Sequence, residues 1–231
     1  APSVGSFTNN SHQSFAHSLE VLPKSNTIES GLAQAVFLGD VKVWPEYTAA
    51  QTLYNTPGNH SYVIPTGASY IDVVFIGAGG GGNGSAGGLT ADGVGGRCGT
   101  WNSFSLTVGV DAQVGEVIGV NVGAGGTSGT SVAPFSAKDG APTSVNFRST
   151  THTAAGGLAA VNGTIQGGTA TPYVLNNRTY NGGAGGAGGV SGNAKGQNGA
   201  APGGGGGGGF SSTTSIGGGD GGAGGCYIYA H

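Results

Sequence analysis

The sequence has few charged residues and no methionine. Its 231 residues include 7 Lys and Arg and 10 Asp and Glu, which leave a formal net charge of −3. Disordered segments combine low hydrophobicity with high net charge, so this composition argues against a disordered chain. The basic residues are scattered, whereas a nucleic-acid-binding surface needs them clustered. We therefore expect no nucleic-acid partner.

Long apolar runs and cysteines are also scarce. No run of 18 or more apolar residues occurs, so we expect no helix that inserts into a membrane. Cys98 and Cys226 are too few and too far apart for a metal site or a disulfide-dense scaffold. Two small buried thiols are the simpler interpretation. A single Cys98–Cys226 bridge joining the two ends of a domain is the alternative.

Motifs that carry catalysis or cofactor binding are missing. The His residues and carboxylates are dispersed, and no P-loop, zinc-protease or nucleophile-elbow pattern occurs. Gly77, Gly79 and Gly82 match a dinucleotide fingerprint, but residues 83–99 contain seven Gly and cannot form the helix that this motif requires. We expect no enzyme activity, no cofactor and no metal. Asp72, inside an apolar run, is expected at a sheet edge or on an outward face.

Glycine is abundant and unevenly distributed. The chain has 53 Gly, of which residues 1–76 contain five, residues 77–100 contain twelve and residues 181–225 contain twenty-three. Collagen is excluded because Gly does not recur at every third position throughout and Pro is scarce. The composition predicts two parts: a region 1–50 for attachment or oligomerisation, and a glycine-rich domain 51–231.

The first part has too little apolar bulk to be stable without a partner surface. Phe15, Leu19 and Leu22 have helical spacing. Residues 36–44 instead predict a two-stranded hairpin whose tip is Gly39-Asp40.

Strand signals begin near Tyr54. The run Tyr70–Ile76 is β-branched and aromatic between turn residues, which predicts a buried strand. Further short strands are expected at 61–64, 102–108, 116–122, 143–148 and 226–230.

Several glycine tracts repeat every three residues. In 182–190, Ala184, Ala187 and Val190 form one line, and the other two lines are pure Gly. A period of three fits neither an α-helix nor a strand, but it fits the polyproline II helix. The predicted fold is therefore mainly β and irregular: short strands plus a bundle of polyglycine II helices, with little α-helix. The non-glycine line would face solvent. The alternative is a flexible glycine linker.

The order of motifs carries a family resemblance. Asn55-Thr56-Pro57-Gly58, Tyr62-Val63-Ile64-Pro65, Tyr70-Ile71-Asp72-Val73 and the glycine run from Gly77, followed by the tracts at 109–126, 175–189, 193–209 and 217–230, resemble the glycine-rich minor tail proteins of actinobacteriophages, especially those infecting mycobacteria. The predicted architecture is also similar to phage tail-tip adhesins built from polyglycine II bundles.

This resemblance implies a non-catalytic structural protein of the virion, at the phage tail tip after assembly in the host cytoplasm. Residues 1–50 would join other tail proteins, and the glycine-rich domain would bind a component of the host cell surface. Copy number is open, with a homotrimer as one candidate. Aromatic side chains dominate binding patches, so the candidate receptor contacts are Trp101, Phe135, Tyr173 and Tyr180, with core packing as the alternative for each.

Other functions share the same composition. A glycine-rich surface or ice-binding protein could use the same bundle, although its varied outward residues do not make the regular array that ice binding needs. A capsid decoration protein is a further alternative. A cell-wall hydrolase would need a carboxylate or Cys/His constellation, and the sequence shows none.

Overall fold

The computed structural model describes residues 36–38, 41–44, 47–85, 93–129, 137–160 and 164–231. The chain divides into two compact units, Ala1–Glu46 and Tyr47–His231, close to the boundary predicted after residue 50. In the first unit, β1 (Val36–Leu38) pairs antiparallel with β2 (Val41–Trp44), which confirms the predicted hairpin. Its tip and the predicted helical stripe lie outside the described residues.

The second unit is rich in β-strands. In chain order its described strands are β3 (Ala50–Tyr54), β4 (Gly58–Val63), β5 (Tyr70–Ile76), β6 (Trp101–Thr107), β7 (Val117–Val122), β8 (Thr143–Phe147), β9 (Thr150–Ala154), β10 (Tyr173–Leu175), β11 (Arg178–Tyr180), β12 (Asn193–Ala194), β13 (Phe210–Ser211) and β14 (Gly225–Ala230). The described residues contain no α-helix, and so none that could cross a bilayer. The β part of the predicted fold class is confirmed.

Two four-stranded antiparallel sheets form the body of this unit. Sheet I has the order β3-β14-β5-β6, and sheet II has the order β4-β7-β8-β9. All the strands predicted from 61–64 onward are present. The sequence did not predict β3 or β9 to β13, because they are short or, like the TTHTA of β9, mostly polar.

The hydrophobic core lies between the two sheets. From sheet I it receives Ile71, Val73 and Phe75 of β5, and from sheet II it receives Ile118 and Val145, all without solvent exposure. Burial of each such side chain contributes about 1.5–3 kcal/mol. Because side chains alternate along a strand, Val74, between Val73 and Phe75, faces the other side of sheet I.

The outer side of sheet I is covered by the hairpin β10–β11. Its turn, Asn176-Asn177, has positive φ at both residues (48° and 60°), as tight hairpins of this type require. Val74 of β5 packs there with Tyr180 and Tyr227 in a second, smaller cluster.

Ten segments, g1 to g10, are neither helical nor part of the sheets, and we call them glycine segments although g4 contains one Gly and g6 two. They are g1 (77–85), g2 (93–100), g3 (123–129), g4 (137–142), g5 (155–160), g6 (164–172), g7 (181–190), g8 (195–200), g9 (203–209) and g10 (216–224). Six of them continue strands of the two sheets: g1, g3 and g5 follow β5, β7 and β9, and g2, g4 and g10 lead into β6, β8 and β14.

Segment g1 is hydrogen-bonded to six others. Its N–H donors fall into three sets that repeat every third residue: Gly77, Gly80 and Asn83 donate to g2, Ala78 and Gly81 to g4, and Gly79 and Gly82 to g10. Its carbonyls accept in the same rhythm, from g5 at Ala78 and Gly81, from g3 at Gly79 and Gly82, and from g9 at Gly80 and Asn83. Buried backbone groups need partners, and those of g1 named above find them in neighbouring segments.

Segment g9 has the same environment. Gly204 to Gly209 donate to g8, g6 and g1 in turn, Gly203 donates to Ala223 of g10, and the segment accepts from g2, g7 and g10. All seven of its glycines are buried. The other eight segments bond to one another in the closed order g3-g4-g5-g2-g6-g7-g8-g10 around these two. An interior segment has no outward side, which favours glycine at all seven positions of g9 and at six of the nine positions of g1.

These contacts leave no room for side chains. A Cβ added at Gly80, Gly96 or Gly206 would overlap a backbone carbonyl of a neighbouring segment. In g7, by contrast, Ala184 and Ala187 are exposed and Val190 is 78% exposed. The predicted outward line is confirmed in this segment.

The second unit has two opposite ends. At the end remote from the glycine segments, Ala50 pairs with Ala230, close to Tyr47 where the unit begins. At the other end, g1 and g10 meet in the bridge between Ser85 and Ile216, next to the β12–β13 pair. We call this second end the distal end.

Candidate functional site

Three of the four candidate contact residues come together in one aromatic cluster under the hairpin β10–β11. Trp101 opens β6, and its ring centroid lies 5.8 Å from that of Tyr173 and 6.4 Å from that of Tyr227. Tyr180 meets Tyr227 edge-on at 5.5 Å. These offset and edge-on geometries are the favourable ones for aromatic pairs. The cluster therefore fastens the hairpin to sheet I.

The polar groups of this cluster are used inside the protein. The indole N–H of Trp101 donates to the carbonyl oxygen of Thr171 at 2.8 Å. The hydroxyls of Tyr173 and Ser103 lie 3.0 Å apart. Both Trp101 and Tyr173 are half-buried. Any contact with a partner would depend on the part of each ring that solvent reaches.

For Tyr180 the structure shows the alternative, core packing. Its side chain is 1% exposed, packed against Val74 and Tyr227, so it cannot touch a receptor. Burial, with a smaller effect of Asp72, raises the pKa of Tyr180 to about 12. Its hydroxyl has no hydrogen-bond partner within the described ranges. Phe135, the fourth candidate, lies outside the described residues.

Asp72 lies on β5, an inner strand of sheet I, so the expected edge position is wrong. It does lie on the outward face of the sheet, the other expected position, but the β10–β11 hairpin covers it and leaves it 1% exposed. Its carboxylate accepts hydrogen bonds from Ser105 Oγ at 2.5 Å and from Asn176 Nδ2 at 2.9 Å. The imidazole Nε2 of His231 lies 3.5 Å from the other carboxylate oxygen, and the two form an ion pair when the imidazole is protonated. These partners satisfy a carboxylate that would be costly to bury alone.

This network anchors the hairpin rather than arranging a nucleophile. A catalytic triad holds an imidazole between the hydroxyl and the carboxylate, whereas Ser105 bonds directly to Asp72. Asn176 comes from the β10–β11 turn, so its bond ties that turn to β5. Sequence reasoning missed these partners because they lie 33 and 104 positions from Asp72. Only the Asn-Asn dipeptide of the turn was a usable local signal.

A shallow groove of about 380 Å³ opens at the β6 and β9 edges of the sheets. Phe104 stacks on His152 in its wall, with 4.3 Å between ring centroids. At its mouth Arg148 donates two hydrogen bonds to Glu116, at 3.1 and 3.0 Å, and this pairing lowers the pKa of Glu116. The guanidinium is thereby held by an internal partner.

Metal and disulfide chemistry find no support in the described part of the chain. No group of three or more His, Cys, Asp or Glu side chains lies close enough there to hold a metal ion. Cys98 and Cys226 are both free thiols, so the alternative of a bridge between them is wrong. Cys226 points into the core between the sheets, where burial raises the pKa of its thiol.

The distal end carries a small polar cluster that the sequence did not single out. Asn193 Oδ1 accepts from Ser211 Oγ at 2.6 Å and from Thr213 Oγ1 at 3.2 Å. The hydroxyl of Ser211 also accepts the backbone N–H of Thr214 at 2.9 Å. These bonds join the turn after g7 to the turn after g9 and define the shape of this part of the distal end.

A two-sheet body with hydrogen-bonded glycine segments defines a glycine-rich β-protein. The family described as a glycine-rich domain matches residues 55–231, most of the chain, and the chain belongs to this family. The matched region contains all ten glycine segments and every strand of the two sheets except β3.

Two similar proteins come from mycobacteriophages. The Gene 32 protein of Mycobacterium phage D29 is 35% identical over 159 residues, which cover 64% of this chain and 70% of that protein. The Gene 32 protein of Mycobacterium phage L5 is 40% identical over 110 residues, which cover 46% of this chain and 48% of that protein. The chain thus spans about half the length of the L5 protein. The expected relationship to phage glycine-rich proteins is confirmed.

Proposed function

We propose that this protein is a non-catalytic structural component of a phage virion, located at the tail tip, that binds the host cell surface. Its relatives in two mycobacteriophages support a phage protein. The described residues offer packing and anchoring networks rather than an arrangement of reactive groups.

The separation of the two ends of the second unit carries this proposal. The second unit begins at Tyr47, and its first strand pairs Ala50 with Ala230 at the end remote from the glycine segments. Five of the segments, g1, g3, g5, g7 and g9, run from the sheet side toward the distal end, and the next segment in the chain runs back from there. A protein held at the remote end would present the distal end outward.

We further propose that the ten segments form a polyglycine II bundle. The three-residue rhythm of donors in g1 and g9 supports this architecture, because a helix with three residues per turn directs every third N–H to the same side. The bundle would be a rigid stalk on which short connections can vary without altering its interior.

Among the candidate contacts, Phe135 fits this arrangement best. It lies in the connection between g3 and g4, whereas Trp101 and Tyr173 are half-buried beside sheet I with their polar groups internally bonded. Hot spots on binding surfaces are enriched in aromatic residues. We therefore propose Phe135 as the main receptor contact.

Two experiments test the proposal. Immunogold electron microscopy of the phage particle should place the protein at the tail tip, and labelling of the capsid would instead favour a decoration protein. Purified protein labelled with a fluorophore should bind mycobacterial host cells, and Phe135→Ala should reduce binding at least tenfold. Val174→Ala, at an exposed position of β10, is the matched control.

The attachment role of residues 1–50 has its own test. A chain shortened to residues 51–231 should stay soluble and folded but be missing from assembled particles. Incorporation of the shortened chain into virions would show that attachment resides elsewhere.

A further inference from the structure

The eight outer glycine segments each lack neighbours on one side. In g7, Gly183, Gly186 and Gly189 donate to the interior segment g9, or to Pro202 directly before it. Gly185 and Gly188 form the next line of this segment, and no backbone carbonyl accepts their N–H groups within the described ranges. Partly buried N–H groups without a partner are destabilising, so this line needs another acceptor.

Side chains of the adjacent segment supply that acceptor. Thr169 Oγ1 of g6 accepts the N–H of Gly185 at 3.0 Å, and Gln166 Oε1 of g6 accepts the N–H of Gly188 at 3.1 Å. Both acceptors are exposed residues, three positions apart, like the two donors. The acceptor side chains of g6 therefore have the same three-residue spacing as the N–H groups of g7 that they bind.

The same arrangement occurs in three other outer segments. Asp139 Oδ1 of g4 accepts the N–H of Ala159 in g5 at 2.7 Å. Asp220 Oδ1 of g10 accepts the N–H of Ser128 in g3 at 2.6 Å. The N–H of Asp220 itself donates to Asn198 Oδ1 of g8 at 2.9 Å. In each case the acceptor side chain comes from the next segment around the outside.

We infer that these five side chains, Gln166, Thr169, Asp139, Asn198 and Asp220, are lateral caps that close the set of glycine segments at ten. Each accepts a backbone N–H that has no backbone partner, as a capping side chain does at a helix N-terminus. Uncapped donors at an edge are a template for pairing with another chain. Without the caps, the outer segments would accept a glycine-rich segment from a second copy of this chain.

Amide hydrogen exchange followed by NMR tests the caps one by one. In the native protein, the Gly185 amide should exchange far more slowly than in an unstructured peptide. Thr169→Val, which removes only the acceptor, should accelerate that exchange about tenfold or more, because the hydrogen bond is lost. Thr169→Ser keeps a hydroxyl and should retain protection. Gly186, which donates to Gly205, reports whether the surrounding structure is intact.

Self-association supplies a second, independent readout. A variant combining Thr169→Val, Asp139→Ala and Asn198→Ala should show concentration-dependent self-association beyond that of the wild-type chain in sedimentation equilibrium. The matched control exchanges the neighbouring exposed residues, Thr171→Val and Gln197→Ala. Fast exchange of Gly185 in the native protein, or identical association of capped and uncapped chains, would overturn the inference. These results do not depend on whether the protein binds cells.

Discussion

Adding a Cβ to the inward-facing and outward-facing positions of g7 should have very different effects on the stability of the domain. A Cβ at Gly186 would overlap the carbonyl oxygen of Gln197 and approach the backbone nitrogen of Gly207. At Gly185 it would overlap the carbonyl oxygen of Gly167. Ala187 is exposed and already carries a Cβ. We expect Gly186→Val or Gly185→Val to destabilise the domain strongly and Ala187→Ser to leave it nearly unchanged.

The hydrogen bonds around Gly186 determine the size of the effect. Its N–H donates to Gly205 at 2.8 Å, its carbonyl accepts from Gly167 at 2.9 Å, and the displaced carbonyl of Gln197 accepts from Gly207 at 2.9 Å. Each buried group left unpaired costs about 1–3 kcal/mol, so losing two or three bonds costs about 3–6 kcal/mol. Domains of this kind have unfolding free energies of about 5–15 kcal/mol.

Thermal melts followed by circular dichroism are the assay. A loss of about 3–6 kcal/mol corresponds to a decrease in Tm of roughly 6–24 °C at this chain length. Ala187→Ser should lie within about 0.5 kcal/mol of the wild type, as surface substitutions usually do. Equal melting temperatures for all the variants would refute the close packing of g7 and favour the flexible linker instead.

Three further predictions follow from the fold and its buried groups. The far-ultraviolet circular dichroism spectrum should contain less than about 15% α-helix, given the glycine content, and a strong helical minimum would contradict it. Burial raises the pKa of both Tyr62 and Tyr180 to about 12, so the folded state retains protons that the unfolded state loses. Stability should therefore decrease as the pH rises from about 10 to about 12, and Tyr180→Phe should weaken this dependence without lowering stability at neutral pH. Cys226 should resist thiol reagents in the folded protein and react after denaturation, whereas rapid labelling of Cys226 under native conditions would contradict its burial.

Local sequence patterns were sufficient for much of the sheet architecture. The apolar run of β5 and the shorter runs of β7, β8 and β14 predict strands because their β-branched and aromatic residues favour a pleated, buried surface. The three-residue repeat in g7 likewise predicts which line faces solvent. These are properties of neighbouring residues, and neighbouring residues are what a sequence displays directly.

The positions of Asp72 and Tyr180 could not be read in the same way. Asp72 was expected at an edge or on an outward face because a carboxylate in an apolar strand usually needs water, and the covering hairpin was not foreseen. Its actual partners, Ser105 and Asn176, are brought together only when β6 and the β10–β11 turn pack on β5. The burial of Tyr180 was also hidden from the sequence, because Tyr227, which covers it, belongs to a strand far along the chain.

The glycine segments show most clearly what the sequence determined and what only the tertiary structure decided. Composition and spacing alone determined that long tracts of this chain can approach other backbones without steric hindrance, but a linker and a packed interior would share that composition. Tertiary structure decided which tracts are interior, because Gly206 bonds to Gly80, 126 positions earlier in the sequence. A glycine has no side chain to indicate a buried face. Its partners are therefore known only once the chain has folded.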